Sequence, residues 1–372
     1  MSCSARGIGK GNICHLVAPG STSSTMTLRL TPTQFITNLS MRIPLSDSPG
    51  VRSCTNAYSR AAVACILKIT SPSLTRNLRN IEDCSYHLKN GGDVQLLFIK
   101  RTHRNGDRWS GDTAFPGGYL NVGESDLDGV TREVSEELDI DLDDSGKYAW
   151  LGRLRHVNFG DKTKFLHPHV FLYLGHTHPV LSPKPSEVAG AQWISLHTLL
   201  QHNSDSLGSR HATLEESFLQ VAGWRGTWSK IAMSIAHVLG CSRVHFPCIY
   251  LPVSPTTTWS QYPDGSAGNL SYNGSAQWVL WGMSLRFVSD LLQAGNEAGA
   301  PYLQAKLPFW VDNKLFNAYL SFWHHRMEYS GSHTVSGSVL LSLSLAGTLG
   351  TYAAAVMGAV CMGEHVYLTV TA

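Results

Sequence analysis

Charge is scarce in this chain. Only 15% of its 372 residues are Asp, Glu, Lys or Arg, against about 25% in ordinary globular proteins. The 29 Lys and Arg and the 27 Asp and Glu nearly cancel, leaving a formal net charge of +2. A dedicated nucleic-acid binder concentrates far more positive charge, so nucleic acid is not an expected partner. Cys-x-x-Cys pairs are absent. The eight cysteines, at 3, 14, 54, 65, 84, 241, 248 and 361, are scattered. That spacing excludes a structural zinc ribbon or finger and reads as free thiols in a reducing, intracellular compartment. What the chain does have is apolar material. At 43% hydrophobic residues it can bury a real core, and its length corresponds to about two to three domains.

The local absences fall at the two ends. No acidic residue precedes Asp47, whereas Arg6, Lys10, Arg29 and Arg42 stand among many Ser and Thr. That composition fits a disordered start or a mitochondrial targeting segment, here taken as residues 1–56. No apolar run of secretory type follows Met1. From Gly331 to Gly363 there is no Lys, Arg, Asp or Glu. Within that stretch, residues 339–362 are long enough to span the ~30 Å hydrocarbon core of a bilayer as a helix. The tail is therefore a candidate transmembrane helix, with the bulk of the chain on the cytosolic side and the membrane as a candidate partner. Residues 301–372 form an aromatic linker plus this tail. Phe309, Trp310, Phe316, Tyr319, Phe322 and Trp323 suit an interfacial belt, an amphipathic surface helix or a packed core helix equally.

Between the ends, residues 57–69, 94–100, 148–154, 166–175 and 191–194 read as strands, and a helix starts near Leu196. Residues 73–92 are polar, end in Gly91-Gly92 and read as a loop. Residues 125–138 read as a helix. Ser125 stands at the cap, Asp126 and Asp128 in the first turn, and Leu127, Val130, Val134 and Leu138 recur at helical spacing. Strands flanking single helices predict a mixed α/β domain over 57–300.

The chemistry is concentrated on that helix. Glu133, Glu136 and Glu137 lie at i, i+3 and i+4, so their carboxylates share one face. Like charges there repel unless a cation sits among them, and hard carboxylate oxygens suit Mg²⁺ or Mn²⁺. Magnesium shares its coordination shell with phosphate oxygens, so such a face can hold a diphosphate and activate water against phosphorus. Arg132 stands four residues before Glu136, in reach of its carboxylate.

The wider pattern is Gly118, five residues, Glu124, seven residues, Arg132-Glu133, an apolar residue, any residue, Glu136-Glu137, any residue, then Asp139 and the apolar Ile140. It resembles the box of the Nudix hydrolase family at every position except Asp139, where the family has Gly. Glycine suits the left-handed turn after a helix better than aspartate does. The resemblance implies an α/β/α sandwich and hydrolysis of a nucleoside diphosphate linked to another group, with Mg²⁺ or Mn²⁺. It implies Glu133, Glu136 and Glu137 as metal ligands, the Gly118 carbonyl as a further ligand, and Glu124 and Arg132 as residues that orient them. The base is either a box glutamate such as Glu133 or an acid on a later loop. Glu187, shortly before the strand with Trp193, occupies such a place.

Upstream, Trp109-Ser-Gly-Asp-Thr-Ala-Phe-Pro-Gly-Gly118 is similar to the signature of the coenzyme A-directed subfamily, His-x-Gly-Gln-Val-x-Phe-Pro-Gly-Gly. Gly111, Phe115, Pro116, Gly117 and Gly118 match, while Trp109, Asp112 and Thr113 replace His, Gln and Val. The Trp278-to-Leu292 segment is similar to that group's terminal helix. The implied substrate is CoA or acyl-CoA, giving 3′,5′-ADP and phosphopantetheine. The alternatives are another nucleoside diphosphate derivative or a non-catalytic nucleotide-binding module. Trp109, Trp193, Trp278 and Trp281 are candidates to stack a base.

Overall fold

A computed structural model describes residues 32–43, 59–105, 109–158, 164–200, 208–213, 226–260, 278–295 and 309–329, together with positions 344 and 348. Everything described belongs to one unit within residues 31–372. A mixed sheet dominates it. The long apolar run Ser59–Thr70 forms β1, flanked by β2 (Asp93–Arg101) and β7 (Lys164–Tyr173). β1 runs antiparallel to β2 and parallel to β7, which it follows over ten register pairs. The order continues outward through β8 (Val188–Ser195) to β11 (Thr258–Trp259) on one side and to β5 (Tyr148–Arg153) on the other. Short β3 (Thr113–Ala114) pairs with β2, β4 (Gly117–Tyr119) with β1, and β6 (Val157–Asn158) with β7.

Helices cover both faces. Alternation along β1 sends Ala62, Ala64 and Ile66 to one face, where they meet Val130, Val134 and Leu138 of α3 (Asp126–Leu138) in the main core. The two alanines keep that face shallow, so the helix lies close to the strand. Ser125 caps α3 by accepting the Asp128 N–H at 3.1 Å, as its position predicts. Cys65 points the other way, toward α6 (Gly282–Gly295), whose Asp290 raises the thiol pKa after burial itself. The alternation expected for a half-buried strand is absent from the sequence of β1 because both of its faces are covered.

Two further helices stand where none is expected. α2 (Ile81–Lys89) lies inside the polar 73–92 stretch. Asn80 caps it by accepting the Asp83 N–H at 2.9 Å, and buried Cys84 and Leu88 hold it down, an apolar pair too sparse to read as a helical face. α1 (Pro32–Arg42) lies inside the 1–56 segment whose composition suits a leader. Phe35, Ile36 and Leu39 are fully buried, and the Asn38 amide donates to the Gly295 carbonyl at 2.8 Å. The apolar stripe of Phe35, Ile36 and Leu39 accounts for the burial of this helix.

A second, smaller sheet is built on β10 (Arg243–Leu251), flanked by β9 (Gly208–Thr213), β12 (Trp278–Trp281) and β13 (Trp310–Val311). With α5 (Thr227–Val238) and α7 (Lys314–Tyr329) it closes its own core of Val244, Phe309, Val311, Phe316 and Leu320. Phe309 and Phe316 of the aromatic stretch are thus packed core residues beside β10 and β13, whereas Phe322 is exposed. Among the described residues no helix is long and apolar enough to cross a membrane. The 339–362 stretch lies outside them except for Ser344 and Thr348, buried helical positions joined by a 2.7 Å bond from the Thr348 hydroxyl to the Ser344 carbonyl.

Candidate active site

The site forms where β4 crosses from β1 to α3. Gly117 adopts φ +140°, and a Cβ there would strike the Ala62 carbonyl and the Val63 backbone. Only glycine lets the chain pass so close to β1. Its freed N–H donates to the Glu137 carboxylate at 2.9 Å. At Gly118 a Cβ would collide with the Glu133 carboxylate. The two glycines are therefore the floor on which the first and third glutamates rest.

Arg132 ties the upper rim together. Its guanidinium donates to both oxygens of Glu124 (2.9 and 3.1 Å), to Glu133 (2.9 Å), to Glu136 (3.4 Å) and to the Tyr119 carbonyl (3.1 Å). Glu124 also accepts the Asn121 N–H at 2.7 Å. These bonds, above all that from Arg132, hold the Glu124 carboxyl below the usual range. Glu124 and Arg132, the two residues expected to orient the ligand glutamates, are thus bonded to one another, and Arg132 reaches two of those glutamates directly.

The inner glutamates behave oppositely. Glu137 is 3% exposed, and burial, reinforced by the charges of Glu133 and Glu187, pushes it up to about 8. The Gly117 N–H and Arg101 oppose that shift without cancelling it. Glu133 is also raised, by burial first and then by Glu136 and Glu187. Glu133 and Glu137 thus lie in a partly dry corner, where a bound cation would relieve their repulsion.

Glu187, a candidate by resemblance alone, lies close enough for its charge to act on both Glu133 and Glu137. The Lys184 ammonium holds it at 3.2 Å, and the Glu187 carbonyl accepts the Thr102 N–H at 2.9 Å. Among the described residues no three His, Cys, Asp or Glu side chains already stand together as a metal cage. Arg132 supplies the balancing charge instead. Carboxylate oxygens over glycines, with no softer ligand beside them, fit a hard divalent cation.

Several contributors carry no motif signal. Arg101 acts on both Glu137 and Asp112. Asp126, an ordinary first-turn acid by sequence, is buried and bonded to Arg60 (2.9 Å), Arg153 (2.8 Å) and His167 (3.1 Å). Arg60 also donates to the Glu124 carbonyl. This network pins the start of α3 and the loop before it to β1, β5 and β7. His167 and His169 read as scattered in the sequence. They lie two apart on β7 and fully inside, where burial drives both well below the ordinary histidine pKa, His169 to about 4. Asp139 adopts φ 59°, ψ 37°, alone among the described non-glycine residues with positive φ, and its N–H closes the helix on the Ser135 carbonyl. The left-handed turn persists where glycine would be expected.

Of the candidate stacking tryptophans, Trp193 and Trp278 are buried and serve packing, with the Lys68 ammonium 4.4 Å over the Trp193 ring. Trp109 and Trp281 face one another at 6.0 Å between centroids.

Residues 86–214 match the family model described as the NUDIX domain. An uncharacterized protein of Schizosaccharomyces pombe is 36% identical over 109 residues, which make up 28% of this chain and 33% of that protein. The chain thus spans about a third of the length of that curated relative. Solved structures similar to part of the chain include a MutT protein from Methanosarcina mazei (23% identity, TM-score 0.26, covering 41% of this chain and 86% of that one). Another is an Ap4A hydrolase from Caenorhabditis elegans (14% identity, TM-score 0.26, covering 38% and 84%). A MutT/nudix family protein from Enterococcus faecalis is 19% identical with a TM-score of 0.25, covering 38% of this chain and 45% of that one. The NUDIX match covers about a third of the chain and runs across α3 and the glycine pair before it, which carry the box residues.

Proposed function

We propose that this chain hydrolyses the diphosphate bond of a nucleoside diphosphate linked to another group. CoA or acyl-CoA is the substrate of first choice, and water cleaves it to 3′,5′-ADP and (acyl-)phosphopantetheine. The observation that carries the reading is the placement of buried Glu137 on the Gly117 N–H, with Glu133 resting on Gly118 beside it. A nucleotide-binding module alone has no use for acids held at such electrostatic cost.

In this reading Glu133, Glu136, Glu137 and the Gly118 carbonyl hold Mg²⁺ or Mn²⁺. The cation supplies charge neutralisation for the diphosphate and acidifies water. Arg132 and Glu124 keep Glu133 and Glu136 aimed into the site. Glu187 or Glu133 accepts the proton from the attacking water, and Lys184 holds Glu187 for that role. Glu137 requires the cation's field to ionise at neutral pH, because its own surroundings favour the protonated form.

A second reading, a different nucleoside diphosphate derivative, is favoured by Asp112. Where the CoA signature has Gln, this aspartate is buried and committed to Arg210. The test is turnover of CoA, acetyl-CoA, NADH, ADP-ribose, diadenosine polyphosphates and nucleoside triphosphates by the full chain with Mg²⁺ or Mn²⁺. Products are followed by chromatography. CoA cleaved best supports the first reading, and a better ADP-ribose or dinucleotide substrate supports the second. Glu137→Gln should lower turnover by about a hundredfold or more without lowering the melting temperature, since the amide is neutral like the protonated acid that burial favours there. Undiminished turnover in that variant would overturn the assignment of the site.

A further inference from the structure

The second sheet sets three rings in one row. His211 of β9 is paired with His245 of β10, and His245 with Trp310 of β13. Val244 and Val311 turn into the core of that sheet, so alternation turns His245 and Trp310 to its other face. Ser209 stands two residues before His211 on β9 and shares its face. Asp312 follows β13 directly. The His211 and His245 rings meet edge to face at 4.8 Å between centroids, and the Trp310 ring lies parallel to that of His245.

Hydrogen bonding fixes the tautomer of the central ring. A carboxylate oxygen only accepts. The 2.9 Å contact between His245 Nε2 and Asp312 Oδ1 therefore places a proton on Nε2, and neutral His245 presents a lone pair at Nδ1. That nitrogen lies 3.0 Å from His211 Nδ1 and 3.1 Å from Ser209 Oγ, and the third side of the triangle, Ser209 Oγ to His211 Nδ1, is 3.4 Å. Two hydrogens are available to this triangle, one from the serine hydroxyl and one from His211. They cover at most two of its three sides. A cation at its centre bonds to all three corners. Tetrahedral coordination at the usual metal–imidazole distance separates neighbouring ligand atoms by about 3.3 Å, close to the spacing found here. A carboxylate on the far nitrogen is also the arrangement that aims a metal-ligating histidine.

We propose that His211, His245 and Ser209 form a second metal site, separate from the glutamate box, for a transition ion that favours imidazole, Zn²⁺ first. Asp312 is its positioning residue, and water completes the coordination. The ion fastens β9, at the end of the family match, to β10 beyond it. The site does not depend on the hydrolase reading, because none of its residues belongs to the box.

Full-length protein is titrated with Zn²⁺ by calorimetry in excess Mg²⁺, which occupies carboxylate oxygens and leaves imidazoles free. One saturable site is expected, lost in His211→Ala and in His245→Ala. The melting temperature should rise with Zn²⁺ in the parent protein and not in these variants. Ser209→Ala should weaken binding by less than the loss of either histidine, since a hydroxyl is the poorest ligand of the three. Asp312→Ala should weaken it by about ten- to a hundredfold. Asp312→Asn keeps an acceptor for the Nε2–H and should fall between that variant and the parent. Asp312 is 58% exposed, so both substitutions leave the sheet intact. If His245→Ala does not fold, His211→Ala decides alone, because that ring is exposed. No Zn²⁺ bound by the parent, or equal binding in His211→Ala, would overturn the site and leave a hydrogen-bonded cluster. Unchanged binding in Asp312→Ala would remove the role given to the aspartate. Glu137→Gln should bind Zn²⁺ as the parent does, and loss of binding in that variant would return the metal to the box.

Discussion

The two sheets of this molecule are held by different physics. The main sheet carries a buried ionic network at the start of α3. Asp126 lies between Arg60, Arg153 and His167, and an apolar core fills the rest of that interface. The second sheet depends on rings: Phe309 and Phe316 inside its own core, with Trp310 stacked on His245 at an interplanar angle of 9°. Apolar packing is nondirectional and tolerates drift, whereas an ion pair has one productive geometry. The region that needs side chains aimed to a fraction of an ångström is the one pinned by charges.

That contrast can be broken at several points. The largest expected effect is at Phe316, fully buried in the second core. Phe316→Ala should cost about 3–5 kcal/mol, and hydrogen exchange should report the loss in β10, β13 and α7 before it reaches α3. Equal loss across both sheets would mean that they unfold as one unit. Asp126→Ala leaves two largely buried arginines without their carboxylate and should cost about 3 kcal/mol or more. Here exchange should rise in α3 and β4, and turnover should fall with it as Glu124 and Glu133 lose their alignment. A variant with normal exchange in α3 would show that the network does not position the site.

Acid sharpens the same comparison. His169 titrates near 4 in the folded protein because burial disfavours its charged form, against about 6.5 in the unfolded chain. Between those values the unfolded state binds the extra proton, so stability is complete above about pH 7 and falls as the pH drops toward 4. This one histidine contributes a loss of about 2–3 kcal/mol over that window. Denaturant midpoints measured from pH 7 to 4.5 should fall, and His169→Phe should flatten the profile. The smallest effect is at Asp139. Relief of its left-handed backbone by Asp139→Gly should raise stability by about 0.5–1 kcal/mol, read as a small upward shift of the melting temperature. No gain would mean that the aspartate side chain already compensates for its φ of 59°.

The carboxylate helix is legible in the amino-acid sequence. Its cap, its apolar stripe and its three acids on one face follow from helical geometry, and α3 begins one residue after the expected cap. The parts of the site that escape such a reading share a cause. Arg60, Arg101 and Arg153 reach α3 from strands up to 66 residues away along the chain, and no local period marks a residue whose partner lies on another element. α1 and α2 escape for a related reason: short helices with three or four buried residues carry too few periods to stand out from polar surroundings.

Local spacing along the chain sufficed to define the acidic face of α3, the glycine pair before it and the class of cation such oxygens suit. These depend on the i, i+3, i+4 geometry of one helix and on the reach of a few residues around it. Tertiary structure alone decided that Glu137 lies dry while Glu124 is held ionised, that the charge of Glu187 acts on Glu133 and Glu137, and that Trp281 meets both Trp109 and Arg210. Burial and charge are properties of everything that surrounds a group, and those surroundings exist only once β1, β7 and the second sheet have closed around it.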